Sequence, residues 1–128
     1  MDKSFENGCV LIIGGSGGIG SLCAQEFTNS GAKVAITYYK NEQAAIKIAN
    51  DIDFDVKIYQ LDNSDSKSVE GTFKKVIEDH GSINTLVNAA GFDIPQKFIS
   101  EIDVDLWKGV IDADINGFFN LIKAGLPH

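Results

Sequence analysis

The sequence predicts a doubly wound α/β fold: one parallel sheet covered by helices on both faces. Three observations carry that expectation. Short apolar runs alternate with amphipathic stretches in the order β-α-β-α-β-α-β-α. The strand candidates read as apolar runs, as strands buried on both faces do. The first run then breaks into the glycine-rich turn Gly14–Gly20, directly before a helical pattern. Right-handed crossovers wind such a chain into a Rossmann-like sheet.

The elements follow in order. Val10–Ile13 is the first strand, and Ile19, Leu22, Cys23 and Phe27 recur at helical spacing until "NSGA" (Asn29–Ala32) closes the helix. Val34–Tyr38 is the second strand. Asn41 is placed to cap a helix whose apolar face is Ala44, Ala45, Ile48, Ala49 and Ile52. Val56–Leu61 is the third strand, ending at "DNSD". Asp65 or Ser66 caps the next helix, with Val69, Phe73, Val76 and Ile77 turned inward. "INTLVNAAG" (Ile83–Gly91) is a fourth strand running into a second glycine turn. One long helical pattern through Trp107, Val110, Ile111, Ile115, Phe118 and Ile122 ends the chain. No linker or repeat divides these elements, so residues 1–128 are expected to form a single, incomplete domain.

Composition narrows the function. The 128 residues are 44% apolar, ordinary for a folded chain, with 11 basic against 18 acidic residues and a net charge of −7. The lysines form no cluster, which argues against a nucleic-acid or anionic-membrane surface. No apolar run approaches the roughly 20 residues of a membrane span, and "MDKSFENG" lacks the apolar centre of a secretory signal. Cys9 and Cys23 make neither a disulfide framework nor a zinc site and read as buried thiols; a cytoplasmic setting is expected. His80 and His128 have no ligand-spaced partners and are expected at the surface, so no metal site is predicted.

The glycine turn is where chemistry enters. Gly15, Gly17 and Gly20 spell G-x-G-x-x-G, whereas Gly14, Gly18 and Gly20 spell G-x-x-x-G-x-G. Such a turn, between a strand and a helix, brings backbone N–H groups and a positive helix end to a point where a pyrophosphate can sit. Parallel strands deliver their other C-terminal ends to the same crevice. Tyr38, Tyr39 and Lys40 end the second strand, where a dinucleotide ribose would lie. No Asp or Glu stands among Thr37–Asn41 to take a ribose 2′-hydroxyl, while Lys40 can pair with a 2′-phosphate. NADP is therefore expected over NAD, the alternative for Lys40 being a solvated side chain. Asp62 can accept from an adenine amino group with Asn63 supplying backbone, or it is a loop cap. Asn88–Gly91 leaves room for a flat ring.

With "IGGSGGIG" (Ile13–Gly20), "LDNSD" (Leu61–Asp65), "VNAAG" (Val87–Gly91) and "DADINGFFN" (Asp112–Asn120) in this order, the sequence resembles the short-chain dehydrogenase/reductase family. It is most similar to the 3-oxoacyl thioester and acetoacetyl-CoA reductases within it, from about Cys9 onward. The family turn T-G-x-x-x-G-I-G selects Gly14, Gly18 and Gly20, with Ile13 in place of the threonine. The family N-N-A-G appears as Asn88-Ala89-Ala90-Gly91. Both departures weaken contacts that stabilise the turns without removing the site. The resemblance implies that Gly14, Ser16, Gly17, Ile19 and Gly20 line the pyrophosphate, Asp62 and Asn63 flank adenine, and Asn88, Ala89, Ala90 and Gly91 face the nicotinamide. Asn116 matches the family's catalytic asparagine, which helps hold a water in the proton relay; Trp107 is read as packing.

The same resemblance exposes a gap. The family's proton donor and its activator appear as Tyr-x-x-x-Lys, with a serine that positions the carbonyl. Here Tyr38, Tyr39 and Tyr59 are followed four residues later by Glu42, Gln43 and Asn63. The expectation is a sheet truncated after its fourth strand and following helix: the cofactor-binding half of a reductase, inactive alone. The alternative is a nucleotide-binding regulator or interaction module without catalysis. The expected partners are a small-molecule carbonyl or alcohol substrate and further copies of the chain in a homo-oligomer.

Overall fold

The computed structural model describes residue 5 and residues 7–52 and 55–128. Four strands, β1 (Cys9–Ile13), β2 (Val34–Tyr38), β3 (Lys57–Gln60) and β4 (Ile83–Asn88), form one parallel sheet in the order β3-β2-β1-β4. Val10 and Ile12 of β1 register with Val34 and Ile36 of β2, and with Thr85 and Val87 of β4. The chain steps outward from β1 to β3, then returns to the far side of β1. The order therefore reverses between β1 and β4, the place where open α/β sheets form a ligand crevice.

Every residue of β1 is buried, so its side chains must be apolar on both faces. Cys9, Leu11 and Ile13 pack with Val69, Phe73 and Val76 of α3 (Ser66–His80) and with Leu121 of α5 (Gly117–Gly125). Val10 and Ile12 point the other way, into a cluster with Ala24 of α1 (Gly18–Asn29) and Ala45 of α2 (Glu42–Asp51). Asn41 caps α2 by accepting from the Ala44 N–H at 3.0 Å, and Asp65 caps α3 by accepting from the Lys67 N–H at 3.0 Å. Gly81, at φ +85°, ends α3 in the left-handed conformation that glycine adopts without strain.

Three expectations need correction. The buried stripe of α1 is Gly20, Ala24 and Thr28, because small residues let the helix lie close to the sheet; the helically spaced Ile19 and Leu22 are 74% and 64% exposed, and Cys23, read as a buried thiol, is half-buried. Trp107, read as packing, is exposed. The last helical pattern is not one α-helix: α4 (Val104–Ile111) passes through a wide π turn at Asp112–Asn116 before α5 begins. Among the described residues, no helix is long and apolar enough to cross a membrane and no cluster of metal-ligating side chains occurs.

Candidate cofactor site

The C-terminal ends of the four strands open on a cleft of about 470 Å³, closed on its far side by α4 and the π turn. Gly14, Tyr38, Lys40, Asp62, Asn63, Ala90 and Gly91 all line it, drawn together from the loops after all four strands.

At the apex, Gly14 has φ +75°, and a Cβ there would lie 2.8 Å from the Ala90 backbone. A Cβ on Gly20 would collide with the Gly14 carbonyl, because the first turn of α1 rests on the glycine turn itself. Gly15 lies against the Ile36 side chain with equally little space. Gly17 and Gly18 are exposed, and a Cβ on Gly18 would meet nothing within 4 Å. The sterically required set is thus Gly14, Gly15 and Gly20, which neither glycine pattern spells. Gly17 and Gly18 leave the approach to α1 bare. Gly17 offers no side-chain cap and the first turn holds no acidic residue, so the helix N-terminus is open to an anion. Ser16 and Ile19 stand at this helix start, outside the cleft lining.

The turn is held from both sides. The Gly14 N–H donates to the Thr37 hydroxyl at 3.1 Å, and the Ala89 N–H donates to the Ile13 carbonyl at 2.9 Å. Thr37 is 1% exposed, a polar group whose burial is compensated by this bond and which takes up an anchoring duty beside Ile13. It was not singled out from the sequence, although a small aliphatic hydroxyl inside the apolar run "VAITY" is the kind of signal that marks such a tether.

Beyond the apex, the Lys40 ammonium sits 5.0 Å over the Tyr39 ring and enters no ion pair among the described residues. Burial first, and then the Glu42 carboxylate, raise the Tyr38 hydroxyl above its ordinary range. One carboxylate oxygen of Asp62 accepts from the Ser64 N–H at 3.0 Å and from the Ser64 hydroxyl at 2.6 Å. The Asp62 N–H donates to Ser68 Oγ at 3.0 Å. Asn63 turns its amide to the opposite wall, where Nδ2 donates to the Ala113 carbonyl at 3.1 Å.

Asn88 and Asn116 also lie off the cleft lining. Asn88 accepts from the Ala90 N–H at 3.2 Å, which shapes the second glycine turn, while its side chain borders a separate groove beside β4. Asn116 is exposed within the π turn, and its Nδ2 donates to Asp112 at 2.8 Å. It is Asp112 that lines the cleft, and Asp114 of the same turn accepts from the Phe92 N–H at 3.0 Å. Both aspartates stand in the motif "DADINGFFN", but nothing in it singled out either, because both matter through a break in helical register that leaves no periodic trace.

Residues 8–128 match the family model for short chain dehydrogenases. The chain belongs to that family. An uncharacterized oxidoreductase of Staphylococcus epidermidis is 30% identical over 118 residues, 92% of this chain and 50% of that protein. A 3-oxoacyl-[acyl-carrier-protein] reductase of Staphylococcus aureus is 29% identical over 120 residues, 91% of this chain and 48% of the other. The crystal structure of a 3-ketoacyl-(acyl-carrier-protein) reductase from Brucella melitensis, complexed with NADH, superposes with a TM-score of 0.89. It covers 97% of this chain and 51% of that one, at 22% identity, so the likeness is one of fold. The chain spans about half the length of the relatives it matches.

Proposed function

We propose that this short-chain dehydrogenase chain supplies the dinucleotide-binding part of an NADP(H)-dependent carbonyl reductase acting on a 3-oxoacyl thioester. The observation that carries the reading is the apex of the cleft: a glycine turn too tight for side chains, followed by a helix start with no cap of its own. A pyrophosphate suits that open helix start in charge. The cation Lys40, with no acidic residue among Thr37–Asn41, favours a 2′-phosphate over a bare ribose 2′-hydroxyl. Bound there, the cofactor would supply a hydride to a carbonyl carbon.

This chain's own residues bind and orient. Gly18 and Ile19 present backbone N–H groups, the Gly17 N–H being held by the Gly14 carbonyl at 3.1 Å; Asp62 borders the adenine end, and Ala90 and Gly91 leave space for the ring. Asn116 belongs to the proton relay by family likeness, and Asp112 fixes its amide. The thioester substrate rests on the Staphylococcus aureus relative. No Tyr-x-x-x-Lys pair occurs in the 128 residues, so the chain alone binds cofactor without turnover.

Calorimetric titration tests the binding. NADPH is expected to bind more tightly than NADH, and Lys40→Ala to weaken NADPH about tenfold while leaving NADH unchanged. Equal losses for both cofactors would remove the 2′-phosphate role. Consumption of NADPH with acetoacetyl-CoA, followed by nicotinamide absorbance, would overturn the claim that the chain alone is inactive.

A further inference from the structure

The π turn at Asp112–Asn116 has a specific cause, and it lies across the cleft. In an α-helix the Gly117 N–H would donate to the Ala113 carbonyl, four residues back. Here it donates to the Asp112 carbonyl, five residues back. The carbonyl it passes over takes the Asn63 amide instead, at 3.1 Å. Asn120 Nδ2 donates in turn to the Asn63 carbonyl at 2.9 Å, one helical turn further along. Gly117 makes the approach feasible, since a Cβ there would lie 2.6 Å from Asn63 Cγ. These contacts form a clasp between the loop after β3 and the helix that carries Asn116.

The Ala113 carbonyl has lone pairs for two donors, but Asn63 fills the space beside Gly117, so the Gly117 N–H reaches that carbonyl only when Asn63 withdraws, which gives the clasp two settings. In the first setting the π turn persists. In the second the α register returns at Gly117 and the residues just beyond Ala113 turn by up to about 100°, one residue's worth of helix, while Leu121 keeps α5 anchored in the core. Asn116 and its bond to Asp112 would move with it. Asp62, Asn63 and Ser64 form one wall of the cleft, and Asp112 and Ala113 form the other. A ligand that touches both walls therefore favours the clasped setting.

We infer that Asn63 is a positioning residue: it sets the register of the π turn, holds Asn116 in place, and links that register to occupancy of the cleft. The link to a dinucleotide rests on the function proposed above; the register does not.

The two are separated by NMR on the whole 128-residue chain. Through-hydrogen-bond couplings report which carbonyl the Gly117 amide uses. The expected partner is Asp112 in the unsubstituted chain and Ala113 in Asn63→Asp, which keeps the shape and loses the donor. Gly117→Ala, which crowds Asn63 out while adding helix propensity, is expected to give the same switch and serves if Asn63→Asp does not fold. Retention of the Asp112 coupling in a folded variant would overturn the inference. Amide exchange then tests the link. Saturating NADPH should slow exchange across residues 113–118 about tenfold in the unsubstituted chain and leave Asn63→Asp within about twofold. Equal slowing in both chains would overturn the link. If NADPH does not bind at all, the proposed function falls, and the coupling pattern still decides the clasp.

Discussion

The two edges of the sheet differ in kind. β3 is four residues long and begins at Lys57, whose ammonium pairs with Asp79 at 3.5 Å. The Tyr59 hydroxyl donates to the same carboxylate at 2.6 Å, and the Thr72 hydroxyl occupies the Gln60 carbonyl at 2.9 Å. Short length, a lysine and capped polar groups are the devices that stop an edge from recruiting further strands. β4 has six residues and none is charged. It borders a groove of about 400 Å³ shared with α5, where Phe118 and Leu126 are 50% and 79% exposed. One edge is finished as a boundary; the other carries no charge and lies beside exposed apolar side chains. The relatives, about twice as long as this chain, give that contrast its scale.

The contrast predicts where the chain is adhesive. At high concentration it is expected to self-associate through the β4 groove, since bare apolar surface beside an unpaired strand edge recruits partners. Phe118→Lys combined with Leu126→Lys should weaken association about tenfold or more in sedimentation equilibrium, with the circular dichroism spectrum unchanged. A folded double variant that associates as before would break the comparison. The opposite edge sharpens it. In the same background, Lys57→Thr removes the charge guarding β3 and should raise association about twofold to fivefold, the range of an exposed ion pair.

How legible these features were in the sequence depends on the physics that writes them. Val10–Ile13 and Val34–Tyr38 announced themselves because burial on both faces forces apolar runs. Asn41 and Asp65 were readable because a cap needs a short polar side chain at one position. Gly14 and Gly20 were readable as a turn, but which glycines are sterically required depends on Ala90 and Ile36, distant in sequence. The face of α1 was misassigned because large apolar residues draw attention, whereas close packing on the sheet selected Gly20 and Ala24. Thr37 and the Asn63 clasp stayed out of view because each acts through a tertiary bond whose partner lies 23 or more residues away, and the role of Asp112 did so because it rests on a register break with no periodic signature.

The smallest expected effect concerns pH at the guarded edge. His80 ends α3 beside that edge, with its ring 6.5 Å from the Tyr59 ring and its Nε2 buried without a hydrogen-bond partner. Burial is the main cause that holds its pKa below the ordinary 6.5; Lys57 and Lys33 act in the same direction, and Asp79 and Asp55 oppose them. The fold therefore prefers neutral imidazole more than the unfolded chain does. A group whose folded pKa is depressed contributes stability above its unfolded pKa and loses it as pH falls through the folded one. The urea midpoint is thus expected to drop as pH is lowered from about 7.5 to about 5. His80→Gln, which cannot take up that proton, should flatten the decline. Asp79 does not confuse the window, because the Tyr59 hydroxyl, and then Lys57, hold its carboxyl below the usual carboxylate range. The effect is modest because the ring is partly solvated. A slope that survives in His80→Gln would mean that the β3 edge keeps its guard independently of imidazole charge, leaving Lys57 and Tyr59 on Asp79 as the whole of it.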